Sequence, residues 1–118
     1  MPYIKADDGR RQILRNGEAA LTAGELNYQI FYYIKHNYKK LEITLSASVI
    51  NSLVKHFLGE KPNYQKYNDM TGALIRCYQE VKRRLNIDAD ILIDICASYD
   101  EEIANYEDLK IKENGDVE

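Results

Sequence analysis

Apolar residues recur at helical spacing along most of this chain, and the pattern predicts four or five helices. The clearest repeat lies over residues 46–59, where i, i+3 and i+4 intervals place on one face Val49, Ile50, Leu53, Val54 and Phe57. Ser46 or Ser48 can cap the start of this segment, and Gly59 followed by Pro62 predicts its end. The segment is therefore predicted to be a helix with one buried face.

Two longer helices precede and follow this segment. The first begins at Thr22, whose hydroxyl can accept from the Glu25 amide while the Glu25 carboxylate reaches back to the Thr22 amide, and it runs to about Lys39. The second runs from Asn63 to about Asn86, and its apolar stripe consists of Tyr67, Met70, Leu74, Cys77, Val81 and Leu85.

A glycine interrupts the longest of these predicted helices at position 72, between Thr71 and Ala73. A glycine inside a helix costs about 1 kcal/mol relative to alanine. Close approach of a second helix would offset that cost, and so would close approach of a ligand. Helix packing is the more common reason, so the pattern predicts a tight helix contact at Gly72.

The rest of the chain shows weaker patterns. A short helix is predicted over residues 8–20, and an extended connector over residues 41–45. A fifth helix is predicted to begin at residues 88–90 and to end at residues 105–106, with a polar tail over 106–118 that contains an Asn-Gly turn signal.

These elements predict an all-α single domain over residues 1–118, folded as a compact bundle of four to five helices. The residues expected to be largely buried are Val49, Ile50, Leu53, Val54, Phe57, Leu74, Cys77, Val81, Ile95 and Cys96. The chain contains ten tyrosines beside two phenylalanines and no tryptophan. Tyrosine-rich stripes that are too wide for one core predict a homo-oligomer.

The sequence shows no feature that predicts export or membrane insertion. It contains no run of 18 apolar residues, and its first residues, MPYIKADD, lack the apolar stretch of a secretory signal. Cys77 and Cys96 fall on predicted apolar stripes, which favours free buried thiols over a disulfide. A cytoplasmic location is the resulting expectation.

The charge of the chain changes sign near residue 88. Residues 1–87 carry 14 Lys and Arg against 8 Asp and Glu, whereas residues 88–118 carry 2 against 11. Such asymmetry indicates that the basic part meets an anion, or that the two parts meet each other within one chain or between subunits. The modest basic excess and a pI of about 5.4 argue against duplex nucleic acid as the ligand.

Residue patterns of the common enzyme classes are absent from the sequence. There is no G-x-S-x-G, no G-x-x-x-x-G-K-[ST] and no G-x-G-x-x-G. His36 and His56 lack partners at the spacing of a metal site, and the adjacent carboxylates Glu101 and Glu102 point about 100° apart on a helix. The sequence therefore predicts no catalytic residue, no metal and no cofactor.

Basic and aromatic residues of the helix over 63–86 form the candidate ligand site. Arg76 and Arg83 lie seven residues apart and share a face, and Arg84 follows them. Arginine forks bind phosphate and tyrosine rings stack on bases, so the predicted binding residues are Tyr64, Tyr67, Asn68, Arg76, Arg83 and Arg84. Where two copies of this helix meet, both of its ends can reach one ligand. Intrahelical pairing of Glu80 with the arginines is the alternative explanation.

The sequence also resembles a family of short, functionally uncharacterised bacterial and phage proteins. The segments that show the resemblance are the opening MPYIK, GELNY over 24–28, Tyr64-x-x-Tyr67-Asn68, GAL over 72–74, Arg83-Arg84 and YEDxKIxENGDV over 106–117. The chain differs from that family by a longer stretch between residues 84 and 106. The resemblance implies a small helical protein of phage or prophage context, and no activity.

The sequence thus predicts a non-enzymatic binding protein for a small anionic ligand, with a nucleotide as the favoured ligand. The resemblance to phage proteins would make it a sponge that sequesters a host signalling nucleotide. The alternative is a protein-interaction module whose acidic C-terminal segment binds and inhibits a basic host protein. Self-association is expected in either case.

Overall fold

The fold is all-α, as the sequence predicted. The computed structural model describes residue 4 and residues 9–37 and 47–115, and within this part of the chain there are six helices and no strand. The helices are α1 (Gly9–Arg15), α2 (Ala23–Asn37), α3 (Ala47–Leu58), α4 (Tyr64–Leu85), α5 (Asp90–Ser98) and α6 (Asp100–Asn114). The predicted connector over 41–45, Ser46 and Lys39 lie outside the described residues.

Glycines with a positive φ follow the ends of α3 and α1. Gly59 follows α3 with a φ of 74° and donates its amide to the Lys55 carbonyl at 3.0 Å, as predicted. The first helix is shorter than the predicted 8–20 and ends at Arg15, because Gly17 adopts a φ of 92° that stops further winding.

The start of α2 confirms one half of the predicted capping box and corrects the other. The Glu25 amide donates to the Thr22 hydroxyl at 3.1 Å. The Glu25 carboxylate accepts instead from the Leu21 amide, at 2.9 Å, and from the Arg10 guanidinium through two bonds of 2.8 Å. This carboxylate therefore ties α1 to the first turn of α2, a contact that local sequence does not show.

This pairing predicts that the stability lost in Glu25→Gln depends on pH. Hydrogen bonding to Arg10 holds the pKa of the Glu25 carboxyl below its ordinary value of 4.5. Because the folded-state pKa is depressed, the charged form stabilises the protein above pH 4.5 and the benefit is lost as pH falls through the folded pKa. The variant should lose about 1 kcal/mol at pH 7.

Urea unfolding of both proteins from pH 7 to pH 3 measures the effect. The difference between wild type and Glu25→Gln should shrink as the pH falls below 4.5. Glu18→Gln, which removes an exposed carboxylate from the loop after α1, is the control and should behave as wild type. A Glu25→Gln deficit that stays constant with pH would contradict an ionic origin.

The longest helix, α4, is the centre of the core. Asn63 caps it by accepting from the Lys66 amide at 2.9 Å, and Asn86 ends it in the left-handed conformation that asparagine tolerates. Helices α2, α3 and α5 pack around α4. The fully buried side chains where they meet are Leu26, Ile30, Ile34, Ile50, Val54, Met70, Leu74, Cys77, Val81 and Leu92.

Most of the predicted core residues are buried, and one prediction is wrong. Val49 is 41% exposed, whereas its neighbour Ile50 is fully buried. Consecutive helix residues point about 100° apart. The narrow face that α3 buries in the core therefore includes Ile50, and Val49 lies beside that face. Leu53 and Cys96 are half-buried against the core, and both cysteines are free thiols.

The predicted tight contact at Gly72 is also wrong. A Cβ built at this position meets no described atom within 4 Å, and Gly72 is exposed. The neighbouring Ala73 and Leu74 take the buried positions of this turn instead. The glycine therefore weakens α4 without a packing contact that requires it.

Gly72→Ala should consequently stabilise the protein by about 1 kcal/mol, the difference in helix propensity between the two residues. Thermal or urea unfolding measures this gain. Ala104→Gly, at an exposed position inside α6, is the reciprocal control for helix propensity and should destabilise that helix. A Gly72→Ala protein less stable than wild type would mean that a partner approaches α4 at this turn.

The C-terminal region differs most from its prediction. The predicted fifth helix is two helices, α5 and α6, separated by Tyr99, whose hydroxyl donates to Asn51 at 3.1 Å. The chain stays helical to Asn114, past the predicted end at residues 105–106, and Gly115 ends α6 with a φ of 87°. The high helix propensity of its Glu, Lys and Leu residues favours the helical state of this segment, although it has no strong apolar stripe.

No helix among the described residues combines the length and apolar character that crossing a membrane requires.

Candidate functional site

A cavity of about 420 Å³ opens where α1, α2 and the last two turns of α4 meet. Its volume falls within the range of about 300–1,000 Å³ that is usual for small-molecule sites. Five cationic side chains line it: Arg11, Arg15, Lys35, Arg83 and Arg84. Glu80 is the one carboxylate among the described lining residues, so the cavity has a strongly positive potential.

One flank of α2 forms an aromatic wall in this cavity. Tyr28, Phe31 and Tyr32 lie at i, i+3 and i+4, and His36 follows one turn later. The His36 ring packs against Tyr32 with centroids 4.3 Å apart, and Tyr28 stacks with Tyr32 at 6.1 Å. The tyrosine-rich face that predicted an oligomer thus lines a cavity in the single chain.

Two arginines are held in place by this aromatic wall. The Arg15 Nε donates to the Tyr28 hydroxyl at 2.7 Å, and the Arg15 guanidinium lies 4.7 Å from the Tyr32 ring centroid. The Arg84 guanidinium lies 4.7 Å from the Phe31 ring centroid. These cation–π contacts orient both groups before any ligand arrives, which lowers the entropic cost of binding.

The other three cations of the cavity differ in the contacts that they make with the rest of the protein. Arg11 donates its Nε to the Ile4 carbonyl at 2.9 Å and lies 5.3 Å from the Tyr28 ring. Lys35 and Arg83 are exposed, and neither pairs with any residue in the described part of the chain. The cavity therefore combines oriented guanidinium groups with two charges that an anion can neutralise.

The deepest polar groups of the cavity are Asn27 and Glu80, which are 2% and 6% exposed. The Asn27 Nδ2 donates to the Glu80 Oε1 at 3.5 Å. The Glu80 Oε2 lies 3.9 Å from Arg84, one turn further along α4. Below them Cys77 is buried in the core, where burial raises the pKa of its thiol and keeps it protonated. Asn27 and Glu80 thus give the positive cavity a buried polar floor.

The structure divides the six predicted binding residues between different places. Arg83 and Arg84 line the basic–aromatic cavity. Arg76 lies two turns earlier on an exposed part of α4, where it donates to Gln79 at 3.2 Å instead of pairing with Glu80. Of the two predicted intrahelical pairs, only that of Glu80 with Arg84 is seen.

Tyr64, Tyr67 and Asn68 line a smaller cavity of about 150 Å³ at the opposite end of α4. Tyr67 is buried there, donates its hydroxyl to Glu102 at 2.7 Å and packs against Tyr106. Burial and this carboxylate raise the pKa of Tyr67 to about 12. These contacts hold α6 against α4, and Tyr64 lies about 28 Å along the helix from Arg83.

Sequence reasoning missed most of the cavity lining. The missed residues are Arg11, Arg15, Asn27, Tyr28, Phe31, Tyr32, Lys35, His36 and Glu80. The helical spacing of residues 28, 31, 32, 35 and 36 is visible in the sequence, and so is the Arg11–Arg15 pair. Nothing in the sequence shows that these two faces meet at the end of α4.

Family models, curated proteins and solved structures were compared with this chain, and none of them matches it. The resemblance to bacterial and phage proteins therefore stays a prediction. No group of histidine, cysteine and carboxylate side chains suited to a metal ion occurs among the described residues.

Proposed function

We propose that this protein binds a small anionic ligand with a planar ring, and that the ligand is a nucleotide. The observation that supports the proposal is the joint lining of one cavity by five cations and by the aromatic wall of α2. Lys35 and Arg83 supply charge for a phosphate group, because no described residue neutralises them. Tyr32 and Phe31 supply flat faces for a base.

Each of these features suits a nucleotide better than a simple anion. Guanidinium groups bind phosphate oxygens through paired hydrogen bonds, and base–aromatic stacking contributes about 1–3 kcal/mol per base. The apolar faces of Phe31 and Tyr32 offer nothing to inorganic phosphate. The proposal is one of binding without conversion; sequestration of a signalling nucleotide rests on the family resemblance alone.

Calorimetric titration of the protein with nucleotides tests the proposal. A panel of nucleoside monophosphates, cyclic dinucleotides and ADP-ribose should contain a ligand that binds more tightly than its nucleoside and more tightly than inorganic phosphate. A bound ligand should also raise the melting temperature, because it stabilises only the native state. Heats indistinguishable from dilution across the panel would refute nucleotide binding.

The exposed end of α6 supports a second candidate, a protein-interaction surface. Every described side chain from residue 107 to 115 is exposed, so this stretch does not dock on the described part of the basic half. Leu109 and Ile111 are 52% and 42% exposed among acidic neighbours. We propose this end as the part that would meet a basic protein or a second subunit.

Deleting residues 107–118 tests this candidate. The shortened chain keeps Tyr106 and its contacts to Tyr64 and Tyr67, so its melting temperature as a monomer should change little. Light scattering should then show a smaller assembly than that of the full chain if α6 joins subunits. An equal number of subunits in both assemblies would rule out self-association through α6.

A further inference from the structure

We infer that Arg15 of α1 forms a second phosphate position in the basic–aromatic cavity, and that the ligand carries two phosphate groups separated by a ribose. The inference rests on the proposed function and concerns which nucleotides the same cavity takes. Lys35 and Arg83 are the cations assigned to the first phosphate, and Arg15 reaches the cavity from a different helix. A nucleoside 3′,5′-bisphosphate has the required arrangement.

The Arg15 guanidinium is oriented by its neighbours while its outer donors stay open. Its Nε donates to the Tyr28 hydroxyl at 2.7 Å, and the group lies 4.7 Å from the Tyr32 ring centroid and 6.0 Å from that of Tyr28. Its Nη1 and Nη2 have no hydrogen-bond partner among the described residues, and the side chain is exposed. These two nitrogens can therefore bind two oxygens of one phosphate group.

Contacts with α2 fix the backbone that carries Arg15. The Gln29 side chain, which is 4% exposed, donates its Nε2 to the Leu14 carbonyl at 2.9 Å and to the Glu18 carbonyl at 2.6 Å. Arg15 directly follows the buried Leu14, so its place beside the aromatic wall is set before a ligand binds. Such preorganisation lowers the entropic cost of binding.

Arg11, the other cation that α1 places in the cavity, is less available to a ligand. Its Nε and Nη2 both donate to the Ile4 carbonyl, and its guanidinium lies 5.3 Å from the Tyr28 ring centroid. Arg11 makes this side of the cavity more positive. The hydrogen bonds of the second position are therefore assigned to Arg15.

The aromatic wall of α2 lies between the two phosphate positions. Arg84, the neighbour of Arg83 on α4, lies on the Phe31 ring, whereas Arg15 lies on the Tyr32 ring. These rings belong to consecutive helix residues, which point about 100° apart. Helices α1 and α4 each pack on α2 and make no comparable contact with each other in the described part of the chain. A phosphate that pairs with the α4 cations thus leaves Arg15 for a second one.

A ribose is a link that suits two positions on different sides of a wall. A base that lies against the aromatic wall keeps its ribose in the same cavity. The 3′ and 5′ oxygens of a ribose leave the sugar in different directions, so phosphates on them can approach α1 and α4 separately. The two phosphates of a 5′-diphosphate share an oxygen and stay on one side. The cavity is therefore expected to distinguish these two kinds of nucleotide.

Calorimetric titration of wild type with the 5′-monophosphate, the 5′-diphosphate and the 3′,5′-bisphosphate of adenosine and of guanosine tests the inference. For at least one base, the bisphosphate should bind about 10- to 150-fold more tightly than the monophosphate, the effect of one added hydrogen bond between charged groups. It should also bind more tightly than the 5′-diphosphate, which has the same number of phosphate groups.

Three variants test whether the gain comes from Arg15. Arg15→Ala should remove the preference for the bisphosphate and leave the affinity for the monophosphate nearly unchanged. Arg83→Ala should weaken the binding of both ligands. Arg76→Ala, which removes an exposed arginine outside the cavity, should keep the wild-type ratio and controls for the loss of one positive charge. Melting curves check that each variant is folded.

Four results would overturn the inference. Equal affinity of wild type for the bisphosphate and either of the other two ligands would refute a separate second position and leave nucleotide binding standing. A preference that persists in Arg15→Ala would place the second phosphate elsewhere. An equal loss for both ligands in that variant would assign Arg15 to the first phosphate. No binding of any of these nucleotides would contradict both the inference and nucleotide binding to this cavity.

Discussion

Leu74→Ala should lower the free energy of unfolding by about 2.7–5 kcal/mol, the range measured for buried leucines that leave a cavity. Leu74 is fully buried at the middle of α4, the helix against which α2, α3 and α5 pack. Because the Leu74 side chain is fully enclosed, the surrounding residues can relax only partly into the space that it leaves. A protein of this size has a total stability of about 5–15 kcal/mol, so the loss is a large fraction of it.

Ile75→Ala is the matched control for this prediction. Ile75 is the next residue of the same helix but is 40% exposed, so its truncation removes less buried surface and leaves no enclosed cavity. Urea unfolding should show a lower midpoint for Leu74→Ala with an unchanged slope, and a much smaller shift for Ile75→Ala. Equal losses in the two variants would mean that α4 presents a different face to the core.

Arg83→Ala should weaken nucleotide binding by about 1.5–3 kcal/mol, the usual contribution of a hydrogen bond to a charged group. Arg83 lines the cavity and pairs with no described residue, so its charge is available to a phosphate. Its removal should leave the melting temperature of the free protein nearly unchanged, because the side chain is exposed. Calorimetry and melting curves measure the two effects separately.

Arg76→Ala and Tyr64→Ala are the controls for this second prediction. Arg76 is an exposed arginine on the same helix outside the cavity, and Tyr64 is 63% exposed at the far end of α4. Both variants should bind as wild type if one chain holds the ligand. A loss in Tyr64→Ala as large as in Arg83→Ala would instead place the ligand between two copies of α4, as the sequence interpretation had it.

Short-range signals in the sequence predict the helices well, because they act within one or two turns. Thr22, Asn63 and Gly59 begin or end helices where their backbone and side-chain chemistry requires. The sequence-based prediction is wrong at α6, where the helix continues through a polar stretch. An apolar stripe reports burial, and α6 beyond Tyr106 is helical without being buried.

The candidate site was predictable only in part, for a related reason. Charge counting located the basic half, and Arg83 and Arg84 do line the basic–aromatic cavity. Tyr67, which the same reasoning assigned to the ligand, uses its ring and hydroxyl to hold α6. Residue type shows what a side chain can bind, and only its neighbours in space decide what it does bind.

The sequence by itself determined the all-α class, the capped ends of the helices and the uneven distribution of charge, since each follows from residue type and local spacing. The tertiary structure alone decided that α1, α2 and the end of α4 enclose one cavity. The Asn27–Glu80 contact spans 53 residues, and the Arg15–Tyr28 bond joins two helices. Such contacts depend on how helices pack against a common core, and no local pattern encodes that packing.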